Sequence, residues 1–452
     1  MKAEYDAVVI GSGFGGSVSA CRLAQAGLSV ALIERGRRYD GDQAFPRNWQ
    51  DPKDGWLWKH EQGLFDVKEI SEMTTVESAA YGGGSQIYAN VHLRLPEAGF
   101  GTAWPRAYNR EVLDPYYDLV AYMLDIKPIT AEDPKRIPPK TWLMRDVAAN
   151  LRRSAQFVYP NLAVNFGDSA RLSPNKFDVP QRGCNHCGEC DIGCNNRAKN
   201  TLDMNYLPLA ERTGRTSVFT RHEAVNIEPF DGKYRVHAID HANGHPVGFT
   251  ADAVFVCGGA INTTELLLRC RDEHRTLPEL SPALGLHYSG NGDYLAFAFD
   301  TDGGRPFTPS QGPTITTAIV YDGSDAGERH WFIFQEGGYP REIARLLQVL
   351  NPNRSRLGVD QIGLLKHQLR QDLRRRADRL PDEPECAINS AVFLAMGRDR
   401  ANGRLELLPG TNLLRIDWDT GSNMGLYNTE DRFSNDVATA LHGALGYNPS
   451  WK

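Results

Sequence analysis

The stretch that decides the fold is residues 8–36, VVIGSGFGGSVSACRLAQAGLSVALIERG. With the preceding residues it opens as an apolar strand, YDAVVI (5–10), of the continuous kind found in buried parallel sheets. A glycine turn follows, then small and apolar residues at helical spacing over 15–26, then a second strand at 28–33. This is a βαβ unit at the start of the chain. Gly11, Gly13, Gly15 and Gly16 lie in the turn. Gly11 permits the tight bend, Gly13 lets the backbone approach a pyrophosphate, and Gly16 lets helix and strand pack closely. The helix N-terminus then offers free N–H groups and a positive dipole end to the phosphates. Glu34 closes the second strand, placed to accept hydrogen bonds from a ribose and to repel a 2′-phosphate. A glycine turn alone binds nothing in particular. Strand, helix, second strand and terminal acid in this order make a dinucleotide cradle the stronger reading.

Composition sets the outer bounds. The 452 residues exceed one ordinary core and imply two intertwined domains. Hydrophobic residues at 41% and charged residues at 23% are those of a folded chain rather than a disordered one. A formal charge of −6 argues against nucleic acid as a partner. No apolar run approaches the roughly 20 residues needed to span a bilayer. The first strand begins at once, leaving no space for a signal peptide, so a cytoplasmic location is expected.

Downstream, residues 40–70 read as irregular, and a second glycine run follows at 79–94. Helices are expected at 110–125, at 141–155 and in LDMNYLPLAERTG, the last closed by Gly214. Strands are expected at 216–220, 223–229 and 233–239, ahead of the strand–glycine–helix phrase ADAVFVCGGAINTTELLLRC. After residue 300, short alternating strands at 315–321, 330–336, 389–396 and 403–408 suggest an antiparallel sheet, interrupted by a helix at 360–380. The fold class is α/β.

Several of these phrases together resemble the glucose–methanol–choline (GMC) flavin oxidoreductases: residues 8–36, AAYGGGSQIYANV, and ADAVFVCGGAINTTELLLR. LGLHYSGNGDYL and the cysteine segment are most similar to the bacterial cholesterol-oxidase-like branch. The resemblance implies FAD as cofactor, with Gly83, Gly84 and Ser85 against the flavin and its phosphates. Gly258 and Gly259 would pack beside the cofactor. Ala224, in TRHEAVNI, would be a backbone contact to adenine, and Asn291, in the SGNGD turn, a further cofactor contact. Asn90 sits one residue later than the asparagine usual after this glycine run, which loosens its assignment to the flavin ring. An FAD-binding, Rossmann-like domain is expected over 1–40, 78–94 and 198–298. A substrate domain with an antiparallel sheet, helices and the cysteine insert is expected over 41–77, 95–197 and 299–452.

On the substrate side, period-2 alternation in HWFIFQEGGYP puts Phe332, Phe334 and Glu336 on one face. A carboxylate ending an apolar face has the setting of a raised-pKa base. Glu336 also resembles the proton-shuttling glutamate of cholesterol oxidases, with one residue's difference in the spacing to Pro340. The alternative is a solvated carboxylate before a Gly-Gly turn. Residues 364–380 carry Leu365, Leu369, Leu373 and Leu380 near one side of a basic helix. A solvated helix packed by its leucines is the preferred reading, and a lid touching an anionic membrane the other.

Four of the eight cysteines crowd into eleven residues: Cys184, Cys187, Cys190 and Cys194. Their C-x-x-C-x-x-C-x-x-x-C spacing is that of bacterial ferredoxin ligands, and iron–sulfur or zinc would each be satisfied by it. Asn195 stands where a ferredoxin has proline. Local disulfides or free thiols are the non-metal alternatives. A cluster would offer electrons a route from flavin to an external acceptor.

The leading functional expectation is an FAD enzyme oxidising the CH–OH group of a hydrophobic, sterol-like alcohol. The rival is a non-catalytic or partner-dependent flavoprotein. The resemblance also implies a catalytic histidine in a C-terminal segment, which in the cholesterol-oxidase branch opens a His-Pro-Leu-Gly-Gly-like motif. Nothing resembling it occurs here, and ALGYNPSWK resembles the stretch that precedes it. The chain is therefore expected to be catalytically incomplete as it stands.

Overall fold

Ala7 to Ile10 are apolar without interruption because this strand is covered on both faces. β1 (Glu4–Ile10) lies inside a six-stranded sheet. The computed structural model describes residues 4–41, 44–47, 55–58, 62–71, 73–100, 104–301, 305–323, 330–340 and 388–447. The helix expected at 360–380, its leucine stripe, Cys386 and the last five residues lie outside these.

The sheet runs in the order Thr216–Thr220, β2 (Val30–Glu34), β1, His245–Val256, Lys233–Asp240, His222–Phe230. The first four strands are mutually parallel and the last two join as an antiparallel meander. His245–Val256 serves both halves: its first seven residues pair with Lys233–Asp240, while Thr250 to Val256 pair with β1. α1 (Phe14–Gln25) packs on β1 and β2 through Ala20, Cys21 and Ala24, whose small side chains bring helix and sheet close. The helix Tyr206–Arg212 packs beside it, and Gly214 follows in the left-handed region at φ 68°.

One expectation fails in residues 40–70. Phe65–Ile70 (β3) and Met73–Ser78 (β4) form an antiparallel hairpin in register from Phe65–Ser78 to Ile70–Met73. The alternation in FDVKEI and MTTVES is the signal, obscured by the irregular Trp- and Asp-rich run before it.

A second six-stranded sheet is antiparallel throughout, in the order Ala444–Tyr447, Tyr294–Phe299, Ala391–Gly397, Phe332–Glu336, Ala318–Tyr321, Phe157–Val158. The helices Pro139–Asn150 and Met424–Ala440 cover one face, and Phe332, Phe334, Phe393 and Phe433 meet there in the largest core. The helix Met424–Ala440 also buries Glu430 completely, with neither carboxylate oxygen hydrogen-bonded. Desolvation, and then the nearby Asp293, push its pKa up to about 9.

Candidate cofactor cleft

Three glycine turns, distant in sequence, meet at the C-terminal ends of β1 and of the neighbouring parallel strand His245–Val256. They line a cleft of about 1710 Å³ with Gly11, Gly13, Gly15, Gly83, Gly84, Gly258 and Gly259. Two positions show why side chains are excluded. Gly11 holds φ +94°, and a Cβ there would lie 2.4 Å from the Cys257 carbonyl oxygen. Gly83 holds φ +52°, and a Cβ would lie 2.5 Å from Gly13 Cα, so the two turns touch backbone to backbone. Gly16 is not in the cleft wall. It packs α1 on the first turn, where a Cβ would overlap the Gly11 oxygen.

Gly13 caps α1 without a side-chain hydrogen bond, leaving first-turn N–H groups for a ligand. Glu34 is buried at the cleft floor. Its Oε2 accepts from Ser12 N at 3.0 Å and Ser12 Oγ at 2.6 Å, and its Oε1 from Gly36 N at 2.8 Å. Ser12 Oγ in turn accepts from Gly82 N at 2.9 Å, so one serine ties the second glycine turn to the acid. Ala224 lines the cleft beside a register shift in its strand. These features fit a dinucleotide: bare backbone for the pyrophosphate, a helix start aimed at it, and a carboxylate at the second strand's end.

Other expected contacts sit behind the wall. Ser85 is buried, donating to the Gly82 oxygen at 2.6 Å and accepting from Leu202 N at 3.1 Å. Asn90 is fully buried at φ 67°, and neither its amide nitrogen nor its oxygen has a partner. Asn291 sits in a turn at φ 60°, donating from Nδ2 to Asp293 at 3.2 Å, and is not among the cleft-lining residues.

Sequence reading missed two groups. The β3–β4 hairpin lays Asp66, Lys68 and Glu77 along the cleft, facing Arg35, Glu223, Asn262 and Glu265. Arg35 pairs with Asp66 at 2.8 Å and Glu77 at 3.6 Å, and Lys68 with Glu265 at 3.3 Å and Glu77 at 3.6 Å. Tyr88 also lines the cleft, edge-on to Phe14. Its hydroxyl lies 3.0 Å from His92 Nε2, and burial lowers the His92 pKa to about 4, so the imidazole is neutral at pH 7. The hairpin alternation could have pointed to the first group. No local signal pointed to the second.

Glu336 lies outside the cleft lining and is completely buried. Its Oε1 accepts from the Thr316 N–H at 2.7 Å and hydroxyl, its Oε2 from the Thr317 N–H at 2.9 Å and hydroxyl. Lys140 stands 3.9 Å away, donating to the Thr314 and Gly337 carbonyls at 2.5 and 3.2 Å. Burial raises the Glu336 pKa against the opposing pull of Lys140. A carboxylate already holding four hydrogen bonds has little capacity left for a ligand's proton.

The four crowded cysteines are free thiols. Cys184 Sγ accepts from His186 N at 3.4 Å, and Cys194 Sγ from Ala198 N at 3.3 Å. Burial raises the thiol pKa values of Cys184, Cys187 and Cys190. Among the described residues no three His, Cys, Asp or Glu side chains are grouped so as to hold a metal ion, so the expected iron–sulfur or zinc centre gains no support. Nor is any described helix long and apolar enough to cross a membrane.

The sequence pattern of the GMC oxidoreductase family matches residues 5–288, well over half of the chain, and the protein belongs to that family. Among curated relatives, a cholesterol oxidase of Acinetobacter baumannii is 30% identical over 347 residues, covering 71% of this chain and 59% of that protein. A cholesterol oxidase of Mycobacterium tuberculosis (strain ATCC 25618 / H37Rv) is 31% identical over 342 residues, covering 71% and 57%. The chain therefore spans less than two thirds of the length of these relatives. Two solved structures share the fold. They are a pyridoxine 4-oxidase from Mesorbium loti (TM-score 0.52, 13% identity, 97% of this chain and 79% of that one) and a fungal aryl-alcohol oxidase (TM-score 0.55, 14% identity, 99% and 85%).

Proposed function

We propose that this protein binds FAD in the three-turn cleft and serves the oxidation of the CH–OH group of a hydrophobic, sterol-like alcohol. The observation that carries the reading is the backbone contact between Gly13 and Gly83, which leaves a bare floor where two glycine turns converge over a helix start. Membership of a flavin-binding family and relatives named cholesterol oxidases support it. The flavin, when bound, supplies the hydride-accepting chemistry. The first-turn N–H groups of α1 hold the pyrophosphate, Glu34 accepts from the ribose, and Tyr88 and Phe14 wall the flavin-side end. Glu336 is read as the anchor of Lys140, Thr316 and Thr317 rather than as the base. The cysteine segment is read as a thiol knot. Stoichiometric iron and sulfide, or zinc, in anaerobically purified protein would restore the metal-centre reading.

The test has two stages. Denaturing the purified protein and separating the supernatant should release FAD. NAD alone, or no nucleotide after reconstitution, refutes the cleft assignment. Mixing flavin-loaded protein anaerobically with a panel of hydrophobic alcohols then follows flavin bleaching in a single turnover. Bleaching supports the enzyme reading, and its absence with every alcohol supports the second one, a flavoprotein that depends on a partner.

A further inference from the structure

Behind the flavin-facing turn Gly83–Gln86 lies a second short turn, Cys190–Ile192, in the cysteine segment. The two pack against each other, and one side chain joins them. Lys199 is 1% exposed, and its ammonium donates to the Tyr88 carbonyl at 2.7 Å, the Cys190 carbonyl at 2.9 Å and the Gln86 carbonyl at 3.1 Å. Two of these acceptors flank the cleft wall and the third belongs to the cysteine segment. An ammonium has three protons, and all three are used. The same ammonium lies 4.6 Å from the centroid of the Tyr88 ring, which faces the cleft. The residues that follow extend the support: Leu202 N donates to Ser85 Oγ, and Asp203 accepts from Gln86 Nε2 at 2.9 Å.

A buried charge that donates to carbonyls in two separate loops fixes their spacing, because losing one acceptor leaves a desolvated donor unpaired. We propose that Lys199 is a positioning residue that couples the cysteine segment to the flavin-binding turn, so that cofactor in the cleft and chemical change at the thiols each act on the other site. The proposal rests on the FAD reading above. Ordering the glycine turn around FAD orders the carbonyls of Gln86 and Tyr88, and through Lys199 the Cys190 turn. Alkylating the thiols strains the Cys190 turn and loosens the cleft wall. Such coupling is reciprocal by thermodynamic necessity.

Cysteine labelling mapped by mass spectrometry tests this on the whole chain. Protein is exposed to iodoacetamide with and without saturating FAD, and labelling rates are read separately at each cysteine. Cys257 lines the cleft itself and serves as an internal control for occupancy. FAD is expected to slow labelling of Cys187, Cys190 and Cys194 about fivefold or more, as well as that of Cys257. In Lys199→Met, Cys257 should stay protected at saturating FAD while protection of the segment disappears, and the Kd for FAD should rise about tenfold. Lys199→Gln, which retains two donors, should fall between, and it stands in if the methionine variant does not fold. Unchanged labelling of the segment in wild type, or protection that survives in the Lys199 variants, overturns the proposal. Loss of protection at Cys257 in wild type defeats the FAD reading itself, and the coupling falls with it.

Discussion

Glu430 gives a pH dependence whose size can be worked from its surroundings. The side chain is fully buried, its oxygens are unpartnered, and its pKa stands at about 9 against an ordinary 4.5. Below pH 4.5 the carboxyl is protonated in both folded and unfolded chains, so its titration adds nothing to the pH dependence there. From 4.5 to 9 the unfolded chain releases the proton and the folded chain keeps it, so stability falls as pH rises. The full slope is about 1.4 kcal/mol per pH unit, or roughly 4 kcal/mol between pH 5 and pH 8. Allowing for relaxation around the group, about 2 kcal/mol is expected. Glu430→Gln keeps the shape and cannot ionise. Its own buried amide is costly, but by the same amount at every pH, so the difference between two pH values isolates the titration. Urea unfolding followed by aromatic circular dichroism at pH 5 and pH 8, at equal flavin loading, makes the comparison. The variant should gain about 2 kcal/mol relative to wild type on going from pH 5 to pH 8. An equal offset at both pH values refutes the reasoning and means that Glu430 finds a partner or solvent when it ionises.

Three further outcomes are expected. Gly83→Ala, whose Cβ would press on Gly13 at an unfavourable φ, should weaken FAD binding about a hundredfold, measured by recovery of flavin fluorescence on dilution. Asp66→Asn removes the carboxylate that Arg35 pairs with at 2.8 Å, with Asp66 only 1% exposed, and should cost about 1–3 kcal/mol in urea unfolding. His92→Phe removes the imidazole beside the Tyr88 hydroxyl. Because His92 is already neutral above about pH 5, any effect on flavin absorbance should be constant from pH 6 to pH 9, checked by spectral titration.

Much of the parallel sheet was legible because its signals are local. Apolar runs, glycine turns and a terminal acid sit within about 30 residues, and the expected strand at 216–220 matches Thr216–Thr220. The β3–β4 hairpin was hidden because its alternation is partly polar: Asp66, Lys68 and Glu77 face a cleft no single segment defines, while Phe65, Ile70 and Met73 pack into two small cores. The expectation for Glu336 read the pleat correctly, since Phe332 and Phe334 do face the core. It could not register Lys140 and two threonines arriving from elsewhere in the chain. Lys199 was illegible for the same reason: its three acceptors lie 9, 111 and 113 residues away. Cysteine spacing places four thiols within eleven residues of chain, while the backbone hydrogen bonds to Cys184 and Cys194, and the lack of a metal-holding group among the described residues, are properties of the folded loop.

The cleft wall has a kinetic consequence. Seven acidic side chains and four lysines or arginines line it, which leaves an excess of negative charge where, on the FAD proposal, a pyrophosphate would pass. Like charge repels an arriving dianion across roughly the Debye length, about 10 Å in 0.1 M salt, and shorter screening lets it through. Cofactor uptake should then quicken as salt is added, the reverse of the usual behaviour of anion-binding proteins. In the proposed binding mode, seated phosphates would lie against N–H dipoles, where salt has much less purchase. Ionic strength would thus control how fast apoprotein becomes holoprotein far more than how tightly the holoprotein holds.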